Sequence, residues 1–281
     1  MTLSHLPKIT VLTSMLLALP MVACGDKDDT GPEGDTDTDT DADTDTDTDA
    51  DADSDTDTDA TATFSGTVLY ADGSPAEGEV QLCATFCTIG ATDADGNFLF
   101  SNLPADRWGL HVELGEHIAE GLIMYDVAAD ADAVAASPHY AVEWQQETEL
   151  EEGDTGTIHV GGNLMLAVDT GAMALPLGIS DYVIKGAYVQ PELWPDLGTL
   201  EGEVVGLWYL APFNATFDPP AAFSVQNDLG LDAGTVLEIM STDYLGHDWV
   251  SGGTATVQDD GSIVADSGSG VLSTTTVALV R

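Results

Sequence analysis

Basic residues are scarce in this chain: five lysines and arginines stand against fifty aspartates and glutamates, and the formal net charge is −45. A chain with so few cations lacks the basic patch that releases counterions from nucleic acid phosphates or anionic lipid headgroups. The composition therefore excludes nucleic acid as a partner. Divalent cations, or a salty habitat that screens the self-repulsion, are the natural complements of such a charge.

Recognisable catalytic patterns are also lacking. The sequence has no glycine-rich phosphate loop and no nucleophile elbow, and its six histidines are scattered. His111 and His117 lie in the stretch HVELGEH, without the helical spacing of zinc-enzyme signatures, and we interpret them as ordinary surface residues. The sequence thus predicts a protein that is not an enzyme.

Cysteine is rare as well, with three residues in the chain, Cys24, Cys83 and Cys87. Cys24 follows the apolar run ITVLTSMLLALPMVA, which is short for a membrane span but suits the core of a signal peptide. The sequence MVAC resembles a bacterial lipobox, in which the cysteine thiol receives a diacylglyceryl group. We predict a lipoprotein signal peptide over residues 1–23 and lipidation of Cys24, with a secretory signal cleaved after Ala23 as the alternative.

An aspartate occupies every second position from Asp35 to Asp59. Neither face of such an extended segment is apolar, so nothing offsets the entropy of ordering it. Alternate carboxylates lie about 7 Å apart in an extended chain, within the Debye length of roughly 8 Å at physiological salt, so their repulsion extends the segment. We interpret residues 24–60 as the lipidated cysteine and a disordered acidic tether. Weak Ca²⁺ binding and glycosylation of the threonines are the alternatives.

From Phe64 onward the sequence predicts an all-β fold. Short runs rich in Val, Leu, Phe and Tyr alternate with turn signals such as DGSP and DADGN. A turn is expected at Asp72-Gly73 and a hairpin turn at Asp95-Gly96. The pattern predicts strands near 63–70, 79–84, 87–92, 97–101 and 108–114.

The same stretch resembles the carboxypeptidase regulatory-like domain. The patterns are G-x-V, D-G-x-P-x-x-G-x-V, T-D-x-D-G-x-F-x-F-x-N-L-P and W-x-L-x-V. Their matching residues are Gly66, Val68, Asp72, Gly73, Pro75, Gly78, Val80, Thr92, Asp95, Gly96, Phe98, Phe100, Leu103, Pro104, Leu110 and Val112. The resemblance implies a transthyretin-like β-sandwich over residues 61–160. Each match is a turn former or an apolar core residue, so the resemblance implies a fold and no catalytic residue.

Cys83 and Cys87 are the two cysteines that remain after Cys24. An even pair in an exported protein, near the end of a predicted hairpin, indicates a disulfide bond. A metal site would need further ligands close by in the sequence. We therefore predict a disulfide between Cys83 and Cys87, with two free thiols as the alternative.

Residues 161–281 contain further strand patterns, among them GNLMLAVD, GEVVGLWYLAP and GVLSTTTVALV. The tail from Phe223 to Ser273 is similar to β modules of bacterial surface proteins and, more loosely, to the sandwich domain of ankyrins and netrin receptors. Some of those relatives cleave themselves at a His-Phe-Ser sequence, but the stretch GVLSTTT has no histidine. We predict a second β-sandwich surface module over residues 161–281, without self-cleavage.

The sequence as a whole predicts a non-catalytic lipoprotein of the cell envelope. A lipid anchor would hold it in the outer membrane, which Gly25 after the lipobox cysteine favours, facing either the cell surface or the periplasm. Two β-sandwich domains on an acidic stalk would serve structural or protein-binding roles with an unknown envelope protein. No cofactor is expected, apart from weak Ca²⁺ binding as a hypothesis.

Carbohydrate binding is the alternative function. Trp194, Trp208 and Trp249 would then stack on sugar rings, although aromatic residues on strands commonly pack in the core. Exposure of two of these rings on one face would favour a glycan ligand.

Overall fold

The structure is a computed structural model that describes residues 61–119 and 121–281. The signal peptide predicted over 1–23, Cys24 and the tether predicted over 24–60 lie outside the described residues. Within those ranges the chain is all β, as predicted, with 22 strands, two 3₁₀ turns and no α-helix.

The first nine strands form what we call the N-terminal lobe, residues 62–143. One of its sheets has the strand order β4-β1-β9-β6, with β8 paired to β1, and the other has the order β3-β2-β5-β7. Every second side chain of a strand points to one face, and the two sheets pack these faces together around a core that includes Val80, Leu82, Phe98 and Phe100. The strands are β1 (Ala62–Tyr70), β2 (Glu79–Cys83), β3 (Cys87–Ala91), β4 (Asn97–Leu103), β5 (Asp106–Glu113), β6 (Ile118–Ala119), β7 (Ile123–Val127), β8 (Asp132–Val134) and β9 (His139–Glu143).

The first five strands of this lobe lie close to the predicted ranges. The turn at Asp95-Gly96 is also present: the carboxylate of Asp93 accepts hydrogen bonds from the backbone N–H groups of Asp95 (2.9 Å) and Asn97 (2.8 Å). It is not the predicted hairpin turn, because β3 and β4 on either side belong to different sheets. The turn carries the chain from one sheet of the sandwich to the other.

The remaining strands form the C-terminal lobe, residues 146–280. Ten of them form one sheet in the order β10-β14-β15-β22-β18-β19-β20-β17-β12-β11, and three form a small sheet, β13-β16-β21. The strands are β10 (Gln146–Leu150), β11 (Thr155–His159), β12 (Met165–Asp169), β13 (Met173–Ala174), β14 (Tyr182–Tyr188), β15 (Val204–Ala211), β16 (Thr216–Ala221), β17 (Phe223–Gln226), β18 (Val236–Asp243), β19 (Asp248–Val257), β20 (Ser262–Ala265), β21 (Val271–Ser273) and β22 (Thr276–Val280); the 3₁₀ turns span Thr170–Ala172 and Pro191–Leu193.

Sheet membership changes between Glu143 and Gln146, before the predicted domain boundary at 160. The two strands that follow this point, β10 and β11, pair with β14 and β12 of the C-terminal lobe. Both strands precede the predicted boundary and have polar sequences, QETEL and TGTIH, so composition alone does not assign them to either half.

The ten-stranded sheet curls until its two edges approach each other. Val160, just after edge strand β11, lies against Gly186 in β14, where an added Cβ would collide with the Val160 carbonyl group. Glycine is needed there for this close approach. The inward side chains of the curled sheet fill a separate apolar core, which includes Leu166, Ile239 and Ile263.

Strand β22 shows how the two lobes are joined. Its side chains are buried on both faces. Val277 and Leu279 point into the core of the curled sheet, whereas Ala278 and Val280 belong to the core that continues into the N-terminal lobe. The described residues therefore lie in one compact unit, and the outer face of the curled sheet packs on the N-terminal lobe.

We call this contact the lobe interface. His139 of β9 stacks on Tyr209 of β15 with ring centroids 6.3 Å apart and planes at 4°, and His111 of β5 lies against Phe213 with centroids 4.3 Å apart. Burial lowers the pKa of both histidines to about 4. The interpretation of His111 as a surface residue was wrong, because the C-terminal lobe covers its side of β5; His117 is exposed.

Polar groups at the lobe interface are incompletely paired. Neither ring nitrogen of His139 nor the hydroxyl of Tyr209 has a hydrogen-bond partner among the described residues. At the edge of the interface, Arg107 of β5 joins Asp126 of the same lobe (Nε to Oδ1, 2.7 Å) to Asp248 of the C-terminal lobe (Nη1 to Oδ1, 2.6 Å). The interface is thus mainly apolar and its ion pairs lie at the rim.

Candidate functional site

One end of the curled sheet opens into a cavity of about 490 Å³, which we call the mouth cavity. This volume lies within the range of roughly 300–1,000 Å³ that is usual for small-molecule sites, and the mouth of a curled sheet is a common place for them. The floor is apolar and consists of inward side chains at the strand ends, namely Val205, Val225, Ile263 and Leu279. The floor is therefore part of the core, and the mouth cavity is where that core meets solvent.

The rim of the mouth cavity is polar and comes from the loops that leave the strands. Asn163 lies between β11 and β12, and Gln226 and Asp228 lie at the end of β17 and just after it. The amide of Asn163 donates a hydrogen bond to the carboxylate of Asp228, and the amide of Gln226 donates to the carbonyl of Gly261 (3.1 Å). These planar groups are exposed and keep further donor and acceptor positions for a ligand.

Tyr188 and Trp208 form the aromatic wall. They are directly opposite each other on β14 and β15, and their ring centroids are 5.3 Å apart. Trp208 is only 3% exposed, and its ring lies over Gly206, where a Cβ would be 2.6 Å from the indole Cη2. Tyr188 is half-buried, so its ring is the part of the wall that a ligand can reach.

The hydroxyl of Tyr188 remains protonated at neutral pH. Burial raises its pKa above the ordinary value, and the carboxylates of Glu192 and Asp228 add to the effect. A protonated phenol both donates and accepts hydrogen bonds, so Tyr188 offers an apolar face together with a polar tip.

Gln145 fixes the loop that carries Asn163. Its side-chain carbonyl accepts hydrogen bonds from the backbone N–H groups of Gly162 (2.8 Å) and Tyr188 (3.1 Å), and its amide donates to the carbonyl of Tyr188 (3.0 Å). Gly162 has a φ of +52°, and a Cβ there would lie 2.8 Å from the Cβ of Tyr188. The rim loop is therefore held against the aromatic wall.

The three tryptophans predicted to stack on sugars do not lie together on an exposed face. Trp249 is 8% exposed and belongs to the core that spans the lobes, and Trp194 packs against that core with its Nε1 donating to the carbonyl of Val189 (2.9 Å). Trp208 does line the mouth cavity, but as a buried support. Each ring lies on or beside a strand whose neighbours cover it, as is common for aromatic residues in sheets.

Cys83 and Cys87, the predicted disulfide pair, are bonded to each other at the end of the β2–β3 hairpin. The hydroxyl of Tyr244, which follows β18 in the C-terminal lobe, lies 3.4 Å from the sulfur of Cys87. Cys24, the predicted lipidation site, lies outside the described residues.

The sequence did not single out Tyr188, Asn163 or Asp228. A signal was present, because the stretches GGN and QND place amide or carboxylate side chains directly beside turn residues and after apolar strands. That pattern predicts exposed polar loops. It does not say that two such loops, more than sixty positions apart in the chain, meet at one cavity.

Among residues 61–119 and 121–281, no group of three or more His, Cys, Asp or Glu side chains is placed to hold a metal ion. In the same ranges no helix is long and apolar enough to cross a membrane.

Two distant structural neighbours are among the solved structures that match this chain. No family model matches the sequence, and no curated protein matches it. A crystal structure from Bacteroides uniformis, described as a candidate carbohydrate binding protein, covers 78% of this chain and 79% of its own, with 9% identity and a TM-score of 0.23. A streptococcal ancillary pilin covers 77% of this chain and 52% of its own, with 10% identity and a TM-score of 0.25. These values are too low to carry over either protein's function.

Proposed function

We propose that this chain is a non-catalytic lipoprotein of the cell envelope whose C-terminal lobe binds a carbohydrate in the mouth cavity. The observation that carries the proposal is the rim, where Asn163, Gln226 and Asp228 surround an apolar floor beside the ring of Tyr188. Planar amides and carboxylates pair with neighbouring sugar hydroxyls, and the C–H face of a sugar ring packs on an aromatic ring. The proposal of glycan binding therefore rests on the residues that line the mouth cavity, and no longer on the stacking of three tryptophans.

A glycan array tests this proposal. The full chain should bind at least one class of glycan, and Tyr188→Ala should reduce the signal by about tenfold or more because the stacking face is lost. Tyr140→Ala, at a half-buried tyrosine that does not line this cavity, is the matched control and should bind like the wild type. A chain that binds no glycan but retains an envelope protein would instead support a structural or protein-binding role.

The membrane anchor belongs to the same proposal. The apolar run before the MVAC sequence and the acidic stretch after it support a lipidated Cys24 with residues 24–60 as a tether. Two or three acyl chains anchor a protein stably, since each buried methylene contributes about 0.8 kcal/mol. Cys24→Ser should abolish labelling by palmitate and release the protein from the membrane fraction; unchanged labelling would contradict the anchor.

The N-terminal lobe is the proposed carboxypeptidase regulatory-like domain. Its two-sheet sandwich supports the assignment. Matching residues such as Phe98, Phe100 and Leu110 are buried in its apolar core, which supports it further. In this proposal the lobe supports the C-terminal sheet, and it contributes no catalytic group.

A further inference from the structure

A second cavity, of about 690 Å³, lies beside the mouth cavity. It is lined from the N-terminal lobe by Tyr70, Asp72 and Glu143, and from the C-terminal lobe by residues that include Tyr188 and Gln190. Tyr188 and Gln190 also line the mouth cavity. The two cavities are therefore neighbours that share one wall.

Hydrogen bonds fix the shared wall, which we call the ridge. Gln145 lines the second cavity, yet its side chain holds both Gly162, at the rim of the mouth cavity, and the backbone of Tyr188. The side chain of Gln190 is exposed and can pair with a ligand on either side. A ligand that crosses the ridge would contact the ring of Tyr188 without displacing any part of the core.

Charge restricts the kind of ligand. Asp228 lines the mouth cavity, and Asp72 and Glu143 line the second. No lysine or arginine is among the described residues that line either cavity. The carboxylate of Asp72 accepts hydrogen bonds from the backbone N–H (2.9 Å) and hydroxyl (2.6 Å) of Ser74, which lower its pKa and keep it ionised. An anionic ligand would be repelled throughout.

We infer that the two cavities form one groove for a neutral oligosaccharide, whose sugar units lie on both sides of Tyr188. This inference rests on the proposed function and adds two statements to it, the length of the ligand and its lack of negative charge. Tyr70 gives the second cavity an aromatic ring, as Tyr188 does for the mouth cavity, and Asp72, Ser74 and Glu143 supply polar partners for hydroxyls.

The test measures affinity against chain length for the full chain, by titration calorimetry. The probes are neutral glucose, xylose and mannose oligomers of one to six units, with oligogalacturonides as the anionic series. For whichever neutral sugar the protein binds, the affinity should rise at least tenfold from the single sugar to the longer oligomers and then level off. The oligogalacturonides should bind at least tenfold more weakly than a neutral oligomer of the same length.

Variants in the second cavity separate the two halves of the groove. Tyr70→Ala should remove the gain with length while leaving the affinity for the single sugar within twofold. Tyr70 is partly buried, so a loss of binding in Tyr70→Ala could also come from a disturbed fold. Glu143→Lys is therefore the second variant, because the side chain of Glu143 is exposed. Its new positive charge should raise the affinity for oligogalacturonides about tenfold.

Each outcome decides a different statement. Equal affinity for one and six units would overturn the groove but leave the mouth cavity as a glycan site. Equal binding of neutral and anionic oligomers would overturn the charge restriction. Absence of binding to every probe would overturn the groove, and together with an empty glycan array it would overturn the proposed function.

Discussion

The mouth cavity and the lobe interface lie on opposite faces of the same curled sheet, and the polar side chains at the rim of the cavity differ in exposure from those of the histidine–tyrosine pair at the interface. At the mouth cavity Asn163 and Asp228 are exposed and hydrogen-bonded. At the lobe interface His139 and Tyr209 are fully enclosed and unpaired. Burying a polar group without a hydrogen-bond partner costs free energy. A polar group at the exposed rim keeps its contact with water, so placing it there costs little. We therefore expect substitutions at the lobe interface to change mainly stability, and substitutions at the mouth cavity to change mainly the proposed glycan binding.

The largest effect is expected from removing apolar contacts at the lobe interface. Leu207 is fully buried on the outer face of β15, so Leu207→Ala should lower the free energy of unfolding by about 2–5 kcal/mol, through lost transfer energy and the cavity that remains. Urea denaturation measures this. Leu177→Ala, at a fully exposed leucine, is the matched control and should change it by less than about 0.5 kcal/mol. Equal effects of the two substitutions would contradict the comparison.

Acid should destabilise the lobe interface through His139. Its pKa is about 4 in the folded chain, because of burial first and the nearby His111 second, against 6.5 for a free imidazole. Between these values the unfolded chain binds more protons at this residue, so the contribution of His139 to stability is constant above pH 6.5 and declines as the pH falls toward 4. The shift corresponds to about 3 kcal/mol.

His139→Phe isolates this contribution. The variant keeps a ring against Tyr209 but has no group that titrates, so its loss of stability between pH 7 and pH 4 should be about 3 kcal/mol smaller than in the wild type. His117→Phe, at an exposed histidine, is the control and should keep the wild-type profile. Denaturant unfolding at a series of pH values gives both curves; parallel curves for His139→Phe and the wild type would show that His139 is not the acid-sensitive group.

A smaller effect is expected from the disulfide between Cys83 and Cys87. The closed loop is short, with a sequence separation of 4, and the chain-entropy relation gives about 2 kcal/mol for a loop of this size. The double variant Cys83→Ser, Cys87→Ser should lower the melting temperature, and a reducing agent should lower that of the wild type but not that of the variant. A reducing agent without effect on the wild type would indicate that the two thiols are free.

The sequence predicts local structure well here and long-range pairing poorly. The strands of the N-terminal lobe were located because apolar and polar residues alternate between clear turn signals, as in Asn97–Leu103, where Phe98 and Phe100 are buried and Leu99 is exposed. The same local pattern gave no information on sheet membership. The turn at Asp95-Gly96 looks like a hairpin turn from its residues, although it connects two sheets.

The candidate site was harder to predict, because it exists only after the sheet has curled. Trp208 was singled out as an aromatic residue on a strand, but its exposure depends on β14, β22 and the loop at Gly162, which lie at distant positions in the sequence. Tyr188 was passed over although it has the more accessible ring. Continuous apolar runs such as TVALV predict burial on both faces, and here the two faces meet two different cores.

The smallest effect on stability, and the sharpest test of the comparison, is expected at the rim of the mouth cavity. Asn163 is exposed and its one side-chain hydrogen bond joins two surface loops, so Asn163→Ala should change the free energy of unfolding by less than about 0.5 kcal/mol. The same substitution removes a hydrogen-bonding group at the rim of the mouth cavity. A net loss of about 0.5–1.5 kcal/mol corresponds to roughly a two- to tenfold weaker affinity for the proposed glycan. Gln258→Ala, at an exposed amide that lines neither cavity, should change neither quantity. A rim variant that lost stability but kept its affinity would reverse the roles assigned to the two faces of the sheet.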